Sequence, residues 1–238
     1  MARFGRLHLL DTCQSTNDYA FSLALAAEPA IVVCRTQTQG RGRFRRQWFS
    51  DSDSLTFSVL LLPGPEQAGV VPGLTQLAGL AVCRAVEELT GLAPRIRWPN
   101  DIVLNDKKLA GILCEQRKAA VVVGVGVNVN QSSFPADIPE PVSLRLATGM
   151  PWDRFALLDK ILEQFFTLVA EAARGNTQPA LEAIKQRSAV LHRRVEVQTL
   201  LRRYIGTVID LDAQGRLVLR TTSGRLVVIG SGQARRLR

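Results

Sequence analysis

Residues Gly40–Trp48 read GRGRFRRQW, and this stretch carries more chemical information than any other part of the chain. Glycine lets a main chain approach a ligand closely, and arginine carries a forked, permanent charge that fits a carboxylate or a phosphate. The tryptophan at its end offers a flat face for a ring. Such a loop has the parts needed to hold an acid beside a nucleotide, but a solvated basic turn or a nucleic-acid contact has the same composition.

Predicted helices and strands surround this loop. Ser15-Thr16-Asn17-Asp18 has the composition of a helix start, and the helix is expected to end near Ala27. Further helices are predicted at Leu74–Leu89, Asp153–Ala173 and Gln178–Ala189. Strands are predicted at Ala30–Thr36, Ser54–Leu62, Arg95–Trp98, Ile102–Leu104, Leu109–Glu115 and Ala119–Val129, with Asn105-Asp106 as a hairpin turn.

Beyond about residue 190 the pattern changes to short alternating segments. These are Arg194–Thr199, Ile205–Leu211, Arg216–Thr222 and Arg225–Ile229, with glycine-containing turns between them. Regular short strands of this kind are typical of a small β-barrel. The sequence therefore predicts an α+β protein, with a mixed α/β catalytic domain at residues 1–190 and a small all-β domain at residues 191–238.

Composition restricts the classes of protein that fit. The chain has 238 residues, is 46% hydrophobic and carries a formal charge of +9, which favours anionic partners. No apolar run approaches the roughly 18 residues that span a bilayer, and no recognition-helix or zinc-finger pattern indicates sequence-specific DNA binding. The cysteines form no CxxC pair, and Cys34, Cys83 and Cys114 are expected to be buried free thiols, which fits a reducing cytoplasm.

A second signal lies in RWPNDIVLNDKKLAGILCE, which spans Arg97–Glu115. Asn100 follows a strand end, and Gly111, three residues after Lys108, would let a ligand pass close to the main chain. A plain turn and a solvated strand end are also compatible with these residues.

A third signal is the segment GVGVN in an otherwise apolar strand. Glycine weakens a strand, so Gly124 and Gly126 indicate either the close approach of a ligand or a bulge. Asn128 would contact a phosphate or cap the end of the strand.

Taken in order, these motifs resemble those of the biotin protein ligases. The resemblance rests on Ser15-Thr16-Asn17, Gln37, Gly40–Trp48, RWPND, Lys108 with Gly111-Ile112-Leu113, Gly124–Asn128, Gly206–Asp210, Gly215 and Ser231-Gly232. It implies a class II synthetase-like catalytic domain on a mixed sheet, followed by an SH3-like barrel. It also implies an ATP-dependent ligase that makes biotinyl-5′-adenylate and passes the biotinyl group to one lysine of a biotin carboxyl carrier protein.

The resemblance also implies roles for individual residues. Lys108 and Arg43 would be catalytic, because positive donors offset the charge that gathers when a carboxylate attacks the α-phosphate. The residues implied in biotin binding are Ser15, Thr16, Asn17, Gln37, Gly40, Arg41, Gly42, Arg43, Lys108, Gly111, Gly124 and Val125. Those implied in ATP binding are Arg43, Trp48 (against adenine), Arg97, Asn100, Lys108 and Asn128, while Gly111, Gly124 and Gly126 would let the ligand lie against the sheet.

Cofactors and partners follow from the same resemblance. ATP and Mg²⁺ are expected, and because the sequence shows no acidic cluster, magnesium would arrive on the ATP phosphates with no protein metal site. Asp101 is the one carboxylate suggested as a base for the acceptor lysine. The site segments begin at Ser15, which leaves no room for the DNA-binding domain of bifunctional members, so neither a DNA nor a membrane partner is expected. Some family members pair through sheet edges and others remain single, so a homodimer stays open.

Two positions depart from the family pattern. Arg45 replaces a glycine, which predicts a stiffer and more basic loop, and Arg97 replaces a lysine, which changes the geometry of any phosphate contact. The nearest rival is a lipoate or octanoate ligase or transferase of the same fold, although the polar Ser15, Thr16 and Gln37 favour biotin. A transcriptional regulator and a non-catalytic biotin-sensing protein are alternatives from other classes.

Overall fold

The computed structural model describes residues 5–26 and 28–237, with the main chain alone for residues 26, 45, 65 and 66. Its helices are α1 (Thr16–Leu23), α2 (Leu74–Thr90), α3 (Leu144–Thr148), α4 (Arg154–Ala173) and α5 (Gln178–Gln186). Its strands are β1 (Arg6–Cys13), β2 (Ala30–Gln37), β3 (Ser54–Leu61), β4 (Arg95–Arg97), β5 (Asp101–Leu104), β6 (Lys107–Arg117), β7 (Ala120–Asn128), β8 (Arg194–Gln198), β9 (Arg203–Leu211), β10 (Leu217–Thr221), β11 (Leu226–Ile229) and β12 (Gln233–Arg236). Short 3₁₀ segments lie at Ala24–Ala26, Arg43–Arg45 and Pro65–Gly73.

A seven-stranded mixed sheet positions the functional residues. Its strand order is β1-β2-β3-β7-β6-β5-β4, with β1 parallel to β2 and the other neighbouring pairs antiparallel. Helix α1 packs on one face through a small apolar cluster that includes Ala20, Val32 and Val122. Helix α2 covers the other face and is itself covered by α4, so the main apolar core lies between the sheet and these two helices.

Strand β7 serves both faces of this sheet. Along AVVVGVGVN the side chains alternate between the two faces. The odd-numbered valines enter the main core, and the first even-numbered residues, Ala120 and Val122, lie under α1. The next even-numbered residues are Gly124, Gly126 and Asn128, so the α1 face of the strand becomes small and polar there.

The hairpin β5–β6 forms at the predicted turn. Asn105 and Asp106 have φ values of 50° and 62°, as a two-residue hairpin turn of type I′ requires. Shortly after the turn the register shifts, because β6 has one extra residue, Leu109, between the partners of Ile102 and Val103. Such a bulge changes the direction of a side chain, and it lies directly beside Lys108.

The last five strands form a separate antiparallel sheet in the order β11-β10-β9-β8-β12. It docks on the catalytic domain at Gly215, whose carbonyl accepts hydrogen bonds from Gln76 Nε2 and Trp98 Nε1. Its buried aliphatic side chains join the main core cluster. The predicted α+β fold is confirmed, and the small sheet is consistent with an SH3-like domain, which is called the C-terminal barrel below. The domain boundary at residue 190 remains a prediction.

Several predicted elements differ from the structure. Strand β1, helix α3 and strand β12 were not predicted, because they are short or mostly exposed and have no strong apolar period. The first helix ends at Leu23 and continues as a 3₁₀ turn, while its predicted end, Ala27, lies outside the described residues. The final helix ends at Gln186, three residues before its predicted end.

The expectation that no segment is apolar enough to span a membrane was wrong by length and composition. The helical stretch Gln67–Thr90 has a mean hydropathy of 1.4, and it is both long enough and apolar enough to cross a membrane. Within that stretch, 61% of the apolar window is buried inside the protein, because α2 lies between the sheet and α4. A helix in the core of a globular protein can have the same length and apolar composition, and we interpret α2 as such a helix.

Candidate active site

A cavity of about 460 Å³ lies on the α1 face of the sheet, where the glycines of β7 begin. Its walls include the start of α1, the loop Gly40–Trp48 (called the arginine loop below), strands β6 and β7, the segment 134–141 and the start of β12. The predicted site residues that line it are Ser15, Thr16, Asn17, Gln37, Arg41, Gly42, Arg43, Trp48, Asn100, Lys108, Gly111, Gly124, Val125 and Asn128. The predicted residues Gly40 and Arg97 are not among the described residues that line it.

Neutral polar side chains form one end of the cavity. Gln37 Oε1 accepts hydrogen bonds from the main-chain N of Thr16 at 2.8 Å and from Thr16 Oγ1 at 3.0 Å, which leaves the Gln37 amide N–H groups as donors. Ser58 Oγ lies 2.7 Å from both Thr16 Oγ1 and Asn17 Oδ1. Asn17 Nδ2 donates to Glu115 Oε2 at 2.7 Å and to a main-chain oxygen of β6. This network fixes both amide groups before any ligand binds.

The glycines of β7 make room for side chains of the protein itself. A Cβ atom at Gly124 would overlap Asn17 Oδ1 and lie 3.0 Å from Asn17 Cγ. A Cβ atom at Gly126 would overlap the Trp48 indole, and one at Gly111, which pairs with Gly126, would lie 3.2 Å from Trp48 Cζ3. Asn17 and Trp48 therefore lie directly over Gly124 and Gly126, although both glycines still border the cavity, so their contact with a ligand stays a prediction.

The same contacts give the cavity a spatial order. Asn17 lies over Gly124, Trp48 lies over Gly126, and Asn128 follows at the end of β7. Four residues of extended strand correspond to roughly 13 Å, so the neutral end and the Asn128 end are about that far apart. Val125 points to the opposite face and packs in the main core, so its main chain is the part that borders the cavity.

The arginine loop folds back on itself. Trp48 N donates to Gly40 O at 2.9 Å, and Arg41 forms an isolated antiparallel bridge with Gln47. Gly40 stands at this closure, where a Cβ atom would lie 2.6 Å from Trp48 O. A glycine is therefore required at position 40 by the close approach of the two ends of the loop, and not by a contact with the cavity. The side chain of Arg45, where the chain departs from the family pattern, lies outside the described part of the structure.

Arg41 fastens the arginine loop to helix α1. Its terminal nitrogens lie 2.6 and 2.9 Å from the Asp18 carboxylate oxygens, and Arg117 Nη2 lies 2.7 Å from the same carboxylate. Glu115 Oε2, which accepts from Asn17, is 3.7 Å from Arg41 Nη2. The hydrogen bond from Arg41 holds the pKa of Asp18 below its ordinary value. Arg41 lines the cavity, but its charge is engaged in holding the loop.

Arg43 reaches the C-terminal barrel. Its Nη2 donates to Ser231 Oγ at 2.7 Å, its Nη1 donates to Gly232 O at 2.8 Å, and Asn100 Oδ1 lies 3.4 Å from Nη1. Burial lowers the pKa of Arg43 from its ordinary value and Asp101 opposes that shift, but a guanidinium stays charged at neutral pH. All three acceptors are neutral, so Arg43 is a half-buried cation without a carboxylate bonded to it among the described residues.

Lys108 is a further cation at the cavity. Its Nζ lies 2.7 Å from Asp101 Oδ1 and 5.6 Å from the centroid of the Trp48 ring, within cation–π range. Arg97 Nη2 contacts the other Asp101 oxygen at 3.2 Å. Arg97 is therefore held away from the cavity by Asp101, and the structure does not support the direct phosphate contact that the sequence suggested.

Two further predicted residues differ in what they offer a ligand. Asn128 Nδ2 donates to the main-chain oxygens of Lys108 at 3.2 Å and Val142 at 3.0 Å, so both of its N–H groups bind protein. Its contacts match a strand-capping role, and only its Oδ1 remains for a ligand. Trp48 Nε1 is buried against Gly126, where an added Cβ atom would lie 2.5 Å from it, and it has no hydrogen-bond partner among the described residues.

The site residues that sequence reasoning missed include the segment 134–141, hydroxyl residues of β3 and the start of β12. In SLTFSVLL of β3 the hydroxyl residues alternate with apolar ones, and the register places them beside Asn128, Gly126 and Gly124, so this period-two signal was present. Gln233 and Ala234 of β12 also line the cavity. No local signal marks them, because the contact between Arg43 and the barrel joins residues 189 positions apart.

Metal and thiol chemistry receive little support from the part of the chain that the structure describes. There, no group of three or more His, Cys, Asp or Glu side chains is placed to hold a metal ion. The four cysteines are free, and Cys34 and Cys83 are buried as predicted, while Cys114 is half-buried. Burial raises the pKa of the Cys83 thiol to about 12 and that of Cys114 to about 11.

The fold and this site match a known protein family. The model of the biotin/lipoate A/B protein ligase family matches residues 9–131, which include the arginine loop, Lys108 and the whole of β7. The chain therefore belongs to this family and is a ligase.

Individual relatives place the chain within the family. The biotin–[acetyl-CoA-carboxylase] ligase of Mycobacterium tuberculosis is 34% identical over 236 residues, which cover 94% of this chain and 86% of the relative. The bifunctional ligase/repressor BirA of Bacillus subtilis is 33% identical over 229 residues, which cover 91% and 70%. The solved structure of the biotin protein ligase from Aquifex aeolicus in complex with biotin and ATP has a TM-score of 0.87 and 29% identity, and covers 98% of this chain and 99% of that chain. The predicted resemblance to the biotin protein ligases is confirmed.

Proposed function

We propose that this ligase activates biotin as biotinyl-5′-adenylate and transfers the biotinyl group to a lysine of a biotin carboxyl carrier protein. The observation that supports this most directly is the arrangement of side chains along one cavity. Neutral amides and hydroxyls lie at Gly124, an indole lies over Gly126, and the cation Lys108 lies beside that indole, while Arg43 approaches the same cavity next to Asn100. Biotin has a matching order of ureido ring, aliphatic chain and carboxylate, and its ureido group needs the donors and acceptors that neutral side chains supply.

In the first step the biotin carboxylate attacks the α-phosphorus of ATP. A bond forms between the carboxylate oxygen and that phosphorus, the bond to the bridging oxygen breaks, and pyrophosphate leaves. Arg43 and Lys108 offset the charge that gathers between the two anions. Arg43 gives up only neutral acceptors for this, while Lys108 exchanges Asp101 for the ligand. Magnesium would come bound to the ATP phosphates and would therefore need few ligands from the protein.

In the second step the amine of the carrier lysine attacks the acyl carbon, AMP leaves, and the nitrogen loses a proton. Asp101 is the carboxylate that we propose as acceptor of that proton, since it lines the cavity and its Oδ1 loses its partner when Lys108 turns to the ligand, while Oδ2 stays paired with Arg97. Trp48 and Asn100 line the part of the cavity that we assign to the nucleotide. The free thiols support a cytoplasmic location.

Exchange of labelled pyrophosphate into ATP tests the first step without a carrier protein. We expect exchange with biotin and none with lipoate or octanoate, because the fixed amides of Gln37 and Asn17 suit a ureido group. Exchange that depends on lipoate or octanoate and not on biotin would contradict the proposal and favour the rival activity of the same fold.

Lys108→Ala tests the assignment of the cation. Exchange should fall by about 100-fold or more, because one of two groups that stabilise the developing charge is lost. Lys107→Ala is the matched control, since Lys107 is the adjacent lysine, is exposed and is not among the described cavity-lining residues. Equal activity of the two variants, with both proteins folded by circular dichroism, would remove Lys108 from the mechanism.

A further inference from the structure

The positive charge of the chain is concentrated in the C-terminal barrel. Residues 191–238 contain ten arginines and three carboxylates, a net charge of +7, whereas residues 1–190 contain twenty basic and eighteen acidic side chains, a net charge of +2. The catalytic domain is thus close to neutral, and the barrel is the part of the chain that attracts anions at long range.

Part of this charge lies on one outer face of the barrel sheet. Arg194 of β8, Thr207 of β9 and Arg220 of β10 are cross-strand neighbours in a single row, and all three are exposed. Because neighbouring strands are about 4.8 Å apart, the two arginines of this row are separated by roughly 10 Å at their main chains. Arg235 of β12 lies in the next row, beside Glu196. We call Arg194, Arg220 and Arg235 the basic face.

The arginines of the basic face are not neutralised within the chain. Other barrel arginines have carboxylate partners, as in the pairs Arg203–Glu196 at 2.6 Å and Arg216–Asp212 at 2.6 Å. Among the described residues, no ion pair involves any of the three arginines of the basic face. Like charges held close together without partners repel, so an acidic surface brought against them gains more energy than one brought against paired arginines.

The basic face begins at the mouth of the cavity. Gln233 lines the cavity, pairs with Gln198 across the strands, and lies two residues before Arg235 on the same strand. Both residues are exposed, and the buried Ala234 lies between them on the opposite face. A macromolecule that inserts a side chain into the cavity beside β12 therefore meets the basic face with its surrounding surface.

We propose that the basic face of the barrel is the docking surface for an acidic protein domain that presents the acceptor lysine to the cavity. The inference rests on the proposed function, which requires such a domain, and adds the surface that recognises it. Leu226 and Val228 of β11 are 56% and 50% exposed, and Leu226 extends the row of Arg194 and Arg220. Exposed aliphatic groups beside arginines suit a protein surface, and among the described residues this face has no exposed aromatic side chain on which bases would stack.

Charge reversal tests the proposal with a biotin carboxyl carrier domain of net negative charge. Arg220→Glu should raise the KM for the carrier by about tenfold at low salt, with little change in kcat, because steering and docking are weakened while the chemistry is not. Biotin-dependent pyrophosphate exchange should remain at the wild-type level. Arg174→Glu is the control, since it makes the same change of net charge on an exposed arginine at the end of α4.

Ionic strength supplies a second readout. The KM of the wild-type protein for the carrier should rise with salt, and that of Arg220→Glu should change much less. An unchanged KM in Arg220→Glu, or an equal rise in Arg174→Glu, would overturn the proposal. Salt-sensitive binding of duplex DNA or RNA that is lost in Arg220→Glu, without an effect on the carrier, would overturn it in favour of nucleic acid. Absence of both exchange and transfer in the wild-type protein would instead contradict the proposed function.

Discussion

Replacing Gly126 by alanine tests whether the floor of β7 is shaped by Trp48. A Cβ atom at Gly126 would overlap Cε2 of the indole and lie 2.5 Å from Cζ2, so the ring must move. Overpacking of this kind costs about 1–3 kcal/mol. Without the ring, alanine should be neutral or even stabilising by about 0.5–1 kcal/mol, because glycine is the poorer residue in a strand. The predicted loss of stability in Gly126→Ala therefore comes from the contact between the added Cβ atom and the Trp48 indole.

A double-mutant cycle measures this contact. The free energy of unfolding in urea should fall by about 2 kcal/mol in Gly126→Ala and by less in Gly111→Ala, where the added Cβ would be 3.2 Å from the ring. In a Trp48→Ala background, Gly126→Ala should cost less than about 0.5 kcal/mol. The KM for ATP in the exchange assay should rise in Gly126→Ala as the indole is displaced. An equal cost of Gly126→Ala with and without Trp48 would refute the reasoning.

Three other predictions concern the arginine loop, the barrel and the core. Because Arg41 lowers the pKa of Asp18, their ion pair should stabilise the fold at pH values above the ordinary carboxyl pKa, and this stability should be lost as the pH falls through the lowered pKa. Asp18→Asn should abolish this pH dependence and raise hydrogen exchange of the arginine loop at neutral pH. Gly215→Ala should lower the stability by about 2 kcal/mol in thermal unfolding, because Gly215 has φ 69° and its Cβ would overlap Gln76. Since burial raises the pKa of Cys83 to about 12, this thiol should resist iodoacetamide in the native protein and react after unfolding, which peptide mass spectrometry would show.

Local patterns predicted most of the fold. The Asn105-Asp106 turn, the apolar strand β7 and the long helix α4, capped by Asp153, each have a signal contained within a few residues. Strand β1 escaped prediction because it lies at the sheet edge and exposes much of its length, so its apolar residues do not mark one face. A short exposed strand such as β12 is defined by its partner β8 and not by its own sequence.

The candidate site was predictable in its composition but not in its contacts. The glycines of β7 indicated a close approach, yet only the fold shows that Asn17 and Trp48 are what approach them. Likewise, only Gly42 separates Arg41 from Arg43, and nothing in that spacing indicates that Arg41 binds α1 while Arg43 binds the barrel. Such assignments depend on residues distant in sequence, which no local period contains.

Mass spectrometry of a carrier domain tests the central claim most directly. The protein would be incubated with biotin, ATP, magnesium and a biotin carboxyl carrier domain, and the masses of the lysine-containing peptides of the carrier would be measured. We predict the addition of one biotinyl group to one lysine, dependent on ATP and lost in Lys108→Ala. Addition of a lipoyl group instead, or an unmodified carrier that a known biotin ligase modifies under the same conditions, would contradict the account.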